Sequence, residues 1–252
     1  MKYHITTYGC QMNVSDSRRL ATELERLGYR PADQAEDADV IVLNTCVVRQ
    51  QPEDRAVNRL YSLRPVKDER PETVIGLMGC LVGVKNPTAV LAQRFPFVDV
   101  FMAPSDPKPL LNLLLQRDGR AAADAERARQ STLQDVADFL LPVREQGQLV
   151  AAYLPVVLGC SHACAYCVIP HRRGPEHSRP SAEIIAEARA LAAQGVREIT
   201  LLGQIVDRYG LDLVDEQTNL AKLLRQLHPI DGLERIRFLT SHPNWLTDDL
   251  LH

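Results

Sequence analysis

The seven residues "VIVLNTC" at positions 40–46 decide the fold class. Four aliphatic side chains in a row leave no polar alternation, and the run is too short for a helix, so it reads as a strand covered on both faces. Strands of this kind belong to parallel sheets packed between helices. Upstream, "KYHITTYG" (residues 2–9) reads as another strand, followed by a helix from about Ser17 with Leu20, Leu24 and Leu27 at helical spacing and Gly28 as its stop. Downstream come a polar helix running through Arg55 to Leu63, the strand "TVIGLMG" (73–79), a strand near "VDVFMA" (98–103) and a helix from about Pro107 to Leu115. This alternation predicts an α/β domain over residues 1–118, a Rossmann- or flavodoxin-like parallel sheet with helices on its faces. No Gly-x-Gly-x-x-Gly or Walker loop follows any of these strands, so a nucleotide-binding assignment has no motif to rest on.

Residues 119–148 are rich in Ala, Arg, Asp, Glu and Gln, with one short apolar cluster at Phe139 to Leu141, and read as a linker. A second alternating series fills residues 149–252: strand "LVAAYLPVVLG" (149–159), helix Ala182 to Ala193, strand "EITLLGQ" (198–204), helix Leu220 to Leu227 and strand "RIRFLTSH" (235–242). This resembles the opening of a (β/α) barrel. Three strands cannot close one, and "LTDDLLH" is a capped helix start, so an incomplete barrel and a fragment of a longer protein are expected.

The bulk numbers narrow the class. With 252 residues, 45% of them hydrophobic and 24% charged, the chain has ordinary globular composition. No apolar run approaches the roughly 20 residues that span a bilayer, and "MKYHITTYGC" lacks the apolar core of a signal peptide, so a cytoplasmic protein without a membrane partner is expected. The formal net charge of -3 gives no global signal for nucleic acid. Thiols stay reduced in the cytoplasm, so six cysteines point towards metal or catalysis rather than disulfides.

Those cysteines fall into two sets. Cys10, Cys46 and Cys80 each sit just after a strand of the first series, and the carboxyl ends of parallel strands share one edge, where ligands normally bind. Taken singly, each is a small buried hydrophobe; taken together, they suit zinc or an iron–sulfur cluster. Cys160, Cys164 and Cys167, in "GCSHACAYC" (159–167), have the spacing Cys-x3-Cys-x2-Cys on the loop after the first barrel strand. A zinc site would need a fourth donor, and His162, His171 and His177 are within reach in sequence. The alternative is a cubane held by three thiolates with its fourth iron left for an exogenous ligand, with Tyr166 as an aromatic wall.

Cys-x3-Cys-x2-Cys is the motif of radical S-adenosylmethionine (SAM) enzymes. With it, "TYGCQMNVSDS", "NTCVVR", the pair Gly79–Cys80, "GCSHACAYCVIPHRRGPEHSRP", "LLGQ" and "TSHP" resemble the methylthiotransferase family over nearly the whole chain apart from the linker. Gln11, Met12 and Asn13 after Cys10 resemble the branch that adds a methylthio group to C2 of N6-isopentenyladenosine at position 37, next to the anticodon of tRNA. Other branches act on threonylcarbamoyl-adenosine in tRNA or on ribosomal protein. A zinc or electron-transfer module is the reading outside enzymes.

The resemblance implies two 4Fe-4S clusters and SAM. The cluster on Cys160, Cys164 and Cys167 would cleave SAM to a 5′-deoxyadenosyl radical, and the one on Cys10, Cys46 and Cys80 would carry the sulfur, methylated by another SAM. An unactivated aromatic C–H bond is beyond side-chain acid–base chemistry, which accounts for the lack of a visible catalytic dyad. Tyr166, Glu176, Ser178, Arg179, Gln204, Ser241 and His242 match family segments and are expected to contact SAM; the alternatives are that Glu176 and Arg179 order their loop, that the run around Ser178 is a solvated turn ahead of the helix starting at Pro180, and that Gln204, Ser241 and His242 are ordinary loop-entry residues. Asn13 and Arg49 are expected substrate contacts. Arg49, Arg55, Arg59, Arg64, Lys67 and Arg70 form the densest basic stretch, which would meet tRNA phosphates or simply make a solvated helix face. Implied partners are the tRNA anticodon stem-loop, a low-potential reductant such as flavodoxin and a sulfur donor, with a monomer expected. The chain departs from the family at Ile205, where asparagine is usual, and at Gly83, where glutamine is frequent. Full-length members also carry further barrel strands and a C-terminal TRAM domain, which this sequence does not match.

Overall fold

The computed structural model describes residues 1–47, 50–85, 88–117 and 141–251. The chain divides into two compact units, Met1–Asp135 with His171–Arg173, and Val136–Pro170 with Gly174–His252. Most of the linker expected at 119–148 lies outside the described residues.

The first unit runs β1 (Lys2–Thr7), α1 (Gln11–Arg26), β2 (Arg30–Pro31), β3 (Val40–Thr45), α2 (Gln50–Ser62), α3 (Arg64–Glu69), β4 (Val74–Gly79), α4 (Thr88–Arg94), β5 (Val100–Met102) and α5 (Lys108–Arg117). Its five strands lie in the order β2-β1-β3-β4-β5, and every pairing is parallel. This is the flavodoxin-like order, whose switch point falls between β1 and β3. Every residue of β3 and β4 is buried, as the unbroken apolar run requires. Alternate side chains serve opposite faces: Ile41, Leu43, Ile75 and Leu77 pack with Leu60, Leu63 and Phe95, while Val40, Val42, Val74 and Met78 pack with Leu20, Leu24, Leu110 and Leu114.

One helix start differs from the reading of the sequence. Helix α1 begins at Gln11, not near Ser17, because Cys10 is extended (φ -93°, ψ 179°) and caps the helix, its backbone N–H donating to Asn13 Oδ1 at 3.4 Å. Helix α2, Gln50–Ser62, contains the polar run read as helical through Arg55 and opens one turn before it. Helix α4 escaped notice because Leu91 is its one buried residue, which leaves no periodicity to read.

The second unit contains β6 (Ala151–Pro155), β7 (Val157–Leu158), α6 (Ile169–Arg173, its last three residues belonging to the first unit), β8 (His177–Ser178), α7 (Ser181–Ala193), β9 (Glu198–Leu202), α8 (Leu220–Leu227), β10 (Arg235–Phe238) and α9 (Asp248–Leu251). Strands β6, β9 and β10 are parallel neighbours in sequence order, the pattern of an opening (β/α) barrel. The strand expected over 149–159 is broken at Val156. There the backbone N–H donates to Leu202 in one sheet while the carbonyl accepts from Arg179, and β7 continues as an antiparallel partner of β8. The core comprises Leu154, Val157, Ile184, Leu191, Ile199, Leu201, Leu223 and Leu227. No described helix is long and apolar enough to cross a membrane.

Candidate functional site

All six cysteines carry free thiols. Cys10 opens α1 after β1, while Cys46 and Cys80 directly follow β3 and β4, so three neighbouring parallel strands deliver the three thiols to one edge. Cys10 and Cys46 flank the switch point. A Cβ added at Gly9 would stand only 3.0 Å from the Cys46 Cβ. The Cys80 backbone N–H donates to Thr45 at 2.9 Å. Hydrogen bonding with Cys46, and then burial, push the Cys80 thiol well above the usual range, while the Arg173 guanidinium pulls it down.

Asn13 holds this edge together. Its Nδ2 donates to Asn44 Oδ1 (2.8 Å) and Thr45 O (3.1 Å), its Oδ1 accepts from the Cys10 thiol (3.3 Å), and Asn44 Nδ2 donates back to Asn13 O (2.9 Å). The expectation that Asn13 meets substrate is corrected here: the residue is 0% exposed and both ends of its amide are engaged within the unit. It shapes the Cys10 loop instead. Arg49 lies outside the described residues.

Sequence reasoning missed Arg173. Its side chain is 3% exposed, with Nη1 3.7 Å from Asp16 Oδ2 and Nη2 3.5 Å from Asn13 Oδ1, and its charge acts on Cys80 and Cys10. In the run His171–Arg172–Arg173 nothing marks the third basic residue as the buried one.

In the second unit, Cys160 is buried in an apolar cluster with Ile169 and Ile205, with Cys167 and Trp245 packed beside them. Ile205, the departure from the family's asparagine, therefore supplies apolar cover to the first thiol. The Cys167 N–H donates to Cys164 O (3.0 Å), closing a turn. Burial pushes the Cys160 thiol up, and the charges of Glu176, Cys167 and Cys164 add to this. Gly159 permits the approach to the loop: at φ 67° a side chain there would be strained, and its Cβ would collide with the Gly174 and Pro175 carbonyls.

Glu176 accepts both bonds from Arg208 Nε (2.8 and 2.9 Å), and Arg208 lies over the Trp245 ring at 4.2 Å. Ser178 is fully buried, accepting from the Gly210 N–H through its hydroxyl. Arg179 donates to Pro155 O and pairs with Glu187, each at 2.7 Å. These side chains order the loop. Ser241 Oγ and the His242 N–H both bind Asp207 (2.8 and 2.9 Å), a residue the sequence reading passed over. The His242 ring lies 4.8 Å from that of His162, Gln204 is half-buried, and Tyr166 is 91% exposed.

Among the described residues no three His, Cys, Asp or Glu side chains gather as ligands of one ion must. A cubane takes one soft donor at each of its irons, and thiols are the donor type it takes; three follow neighbouring strands of the first unit and three share one loop of the second.

Comparison with known proteins agrees. Residues 2–103 match the uncharacterized protein family UPF0004, and residues 154–250 match the Radical SAM superfamily. The chain is 46% identical over its whole length to the tRNA-2-methylthio-N(6)-dimethylallyladenosine synthase of Herpetosiphon aurantiacus, covering 54% of that protein. It is 44% identical to the synthase of the same name from Chloroflexus aurantiacus, covering 50% of it. It thus spans about half the length of the curated relatives it matches. The fold resembles the radical SAM methyltransferase TsrM from Kitasatospora setae, solved with cobalamin and a [4Fe-4S] cluster (TM-score 0.60, 16% identity, 99% of this chain and 57% of that one). It also resembles the cobalamin-dependent radical enzyme OxsB (TM-score 0.56, 11% identity, 94% and 38%). Two domain matches in sequence order, and relatives of one name along its whole length, make the chain similar to the tRNA-2-methylthio-N(6)-dimethylallyladenosine synthases, with a radical SAM domain following a UPF0004 domain.

Proposed function

We propose that this chain provides the cluster- and SAM-binding part of a tRNA methylthiotransferase acting at C2 of N6-isopentenyladenosine 37, in the cytoplasm, with a low-potential reductant and a sulfur donor. The observation that carries the reading is the pair of three-thiol sets, one at the switch point of the flavodoxin-like sheet and one on the first loop of the barrel. When bound, two 4Fe-4S clusters and SAM supply the radical and the methylated sulfur.

The chain's own residues bind, orient and shield. Cys160, Cys164 and Cys167 would hold one cluster and leave one iron for SAM, and Cys10, Cys46 and Cys80 would hold the other. Ile169, Ile205 and Trp245 keep water from Cys160. Asp207 fixes Ser241 and the His242 backbone at the carboxyl end of β10, the rim where barrel enzymes place their ligands. Glu176, Ser178 and Arg179 hold the loop that follows the third thiol, and Tyr166 and Gln204 remain the side chains offered to SAM.

A chimaera tests the substrate. The chain is grafted in place of the matching half of the Herpetosiphon aurantiacus relative, reconstituted, and given SAM, reductant and hypomodified tRNA. Nucleoside mass analysis is expected to show isopentenyladenosine gaining a methylthio group. Gain only on threonylcarbamoyl-adenosine, with isopentenyladenosine unchanged, would overturn the branch.

A further inference from the structure

We propose that Arg173 is a positioning residue of the Cys10–Cys46–Cys80 site, the buried cation that balances the charge of its thiolates and of the cluster they hold. This rests on reading those thiols as cluster ligands.

A guanidinium taken out of water is costly unless acceptors surround it. Arg173 is almost wholly buried, yet Asp16, the carboxylate paired with it among the described residues, stands 3.7 Å away, and Asp16 Oδ2 makes no hydrogen bond there. The Arg208–Glu176 pair shows what a committed ion pair looks like in this chain, two bonds of 2.8 and 2.9 Å to a single nitrogen. Arg173 is not committed in that way. Its remaining attractions are to Cys80, Cys10 and Asn13 Oδ1, that is, to the thiols and to the amide that holds one of them.

The backbone places it there deliberately enough to resist drift. The Val84 N–H, on the loop after Cys80, donates to Arg172 O at 3.0 Å, and a Cβ added at Gly83 would lie 3.3 Å from the Arg172 side chain. The segment carrying Arg173 is therefore pinned beside the Cys80 loop, with glycine at the point of contact.

The chemistry gives that position a use. Three thiolates outweigh the positive charge of an oxidised cubane core, so the assembly is anionic and grows more so on reduction. A fixed cation in a water-poor setting favours the reduced state, and hydrogen bonds to sulfur act in the same direction. Arg173 should raise the reduction potential of this cluster and help retain it.

The test uses the 252-residue chain carrying Cys160→Ala, Cys164→Ala and Cys167→Ala, so that one cluster is read alone. After anaerobic reconstitution, iron and sulfide are counted and the midpoint is titrated by electron paramagnetic resonance for Arg173, Arg173→Lys and Arg173→Gln. The midpoint is expected to move to more negative potential in Arg173→Gln and to return most of the way in Arg173→Lys, with iron lost faster to a chelator in the glutamine variant. Asp16→Asn with Arg173→Gln removes both buried charges and serves if the single variant does not fold; Asp16 is not among the main charges on Cys80, so the same sign is expected. Equal midpoints in all filled variants, or a lysine variant as empty as the glutamine one, would overturn the proposal. A parent that holds no cluster would instead overturn the ligand reading beneath it.

Discussion

At Asn13 a single amide ties the Cys10 loop to the ends of β3, with two donated bonds and one accepted from the thiol. Asn13→Ala leaves Asn44 Oδ1 without that donor in a buried setting, and a cost of about 1–3 kcal/mol is expected in urea unfolding. Asn13→Asp should cost more, since it brings a carboxylate into the same space. Glu176→Ala is a comparable case in the other unit: it removes both bonds to Arg208 and should cost about 1.5–3 kcal/mol by the same measurement, while Glu176→Gln retains an acceptor and costs less. The places of Cys10, Cys46 and Cys80 after their strands were legible because strand ends are properties of the sequence. Asn13, Asp207 and Arg173 were not legible in their roles, because an amide or a guanidinium looks the same in sequence whether it is buried or solvated.

Strand β3 was read within its observed bounds, since a residue run buried on both faces needs no partner to be recognised. Ile41→Ala removes a fully buried side chain from one face of that strand, and about 2–5 kcal/mol is expected in denaturant unfolding. The helices were less legible. Helix α8, with its cap at Asn219 and apolar face, matched expectation, whereas the start of α1 is set by Cys10 and Asn13, whose capping competes with no periodic signal. The break at Val156 was invisible because "LPVVLG" is equally apolar on both sides of it. For the loop after β7, Gly159→Ala should shift Cys160 away from Gly174 and Pro175, seen as loss of iron from the second site with the first retained.

Across the whole molecule, each unit carries one set of three thiols on the carboxyl side of parallel strands, and each set is proposed to hold its own cluster. The flavodoxin-like order puts the first set at a switch point, and the barrel opening puts the second on the loop after its first strand. Neither arrangement depends on the half of the relatives' length that this chain does not span. Iron and sulfide counting after anaerobic reconstitution is the most direct measurement. The prediction is about eight irons per chain, falling to about four in the Cys10/Cys46/Cys80→Ala variant and to about four in the Cys160/Cys164/Cys167→Ala variant, with cluster absorption in each. Zinc retained without cluster absorption, or one triple variant keeping the full iron content, would contradict it.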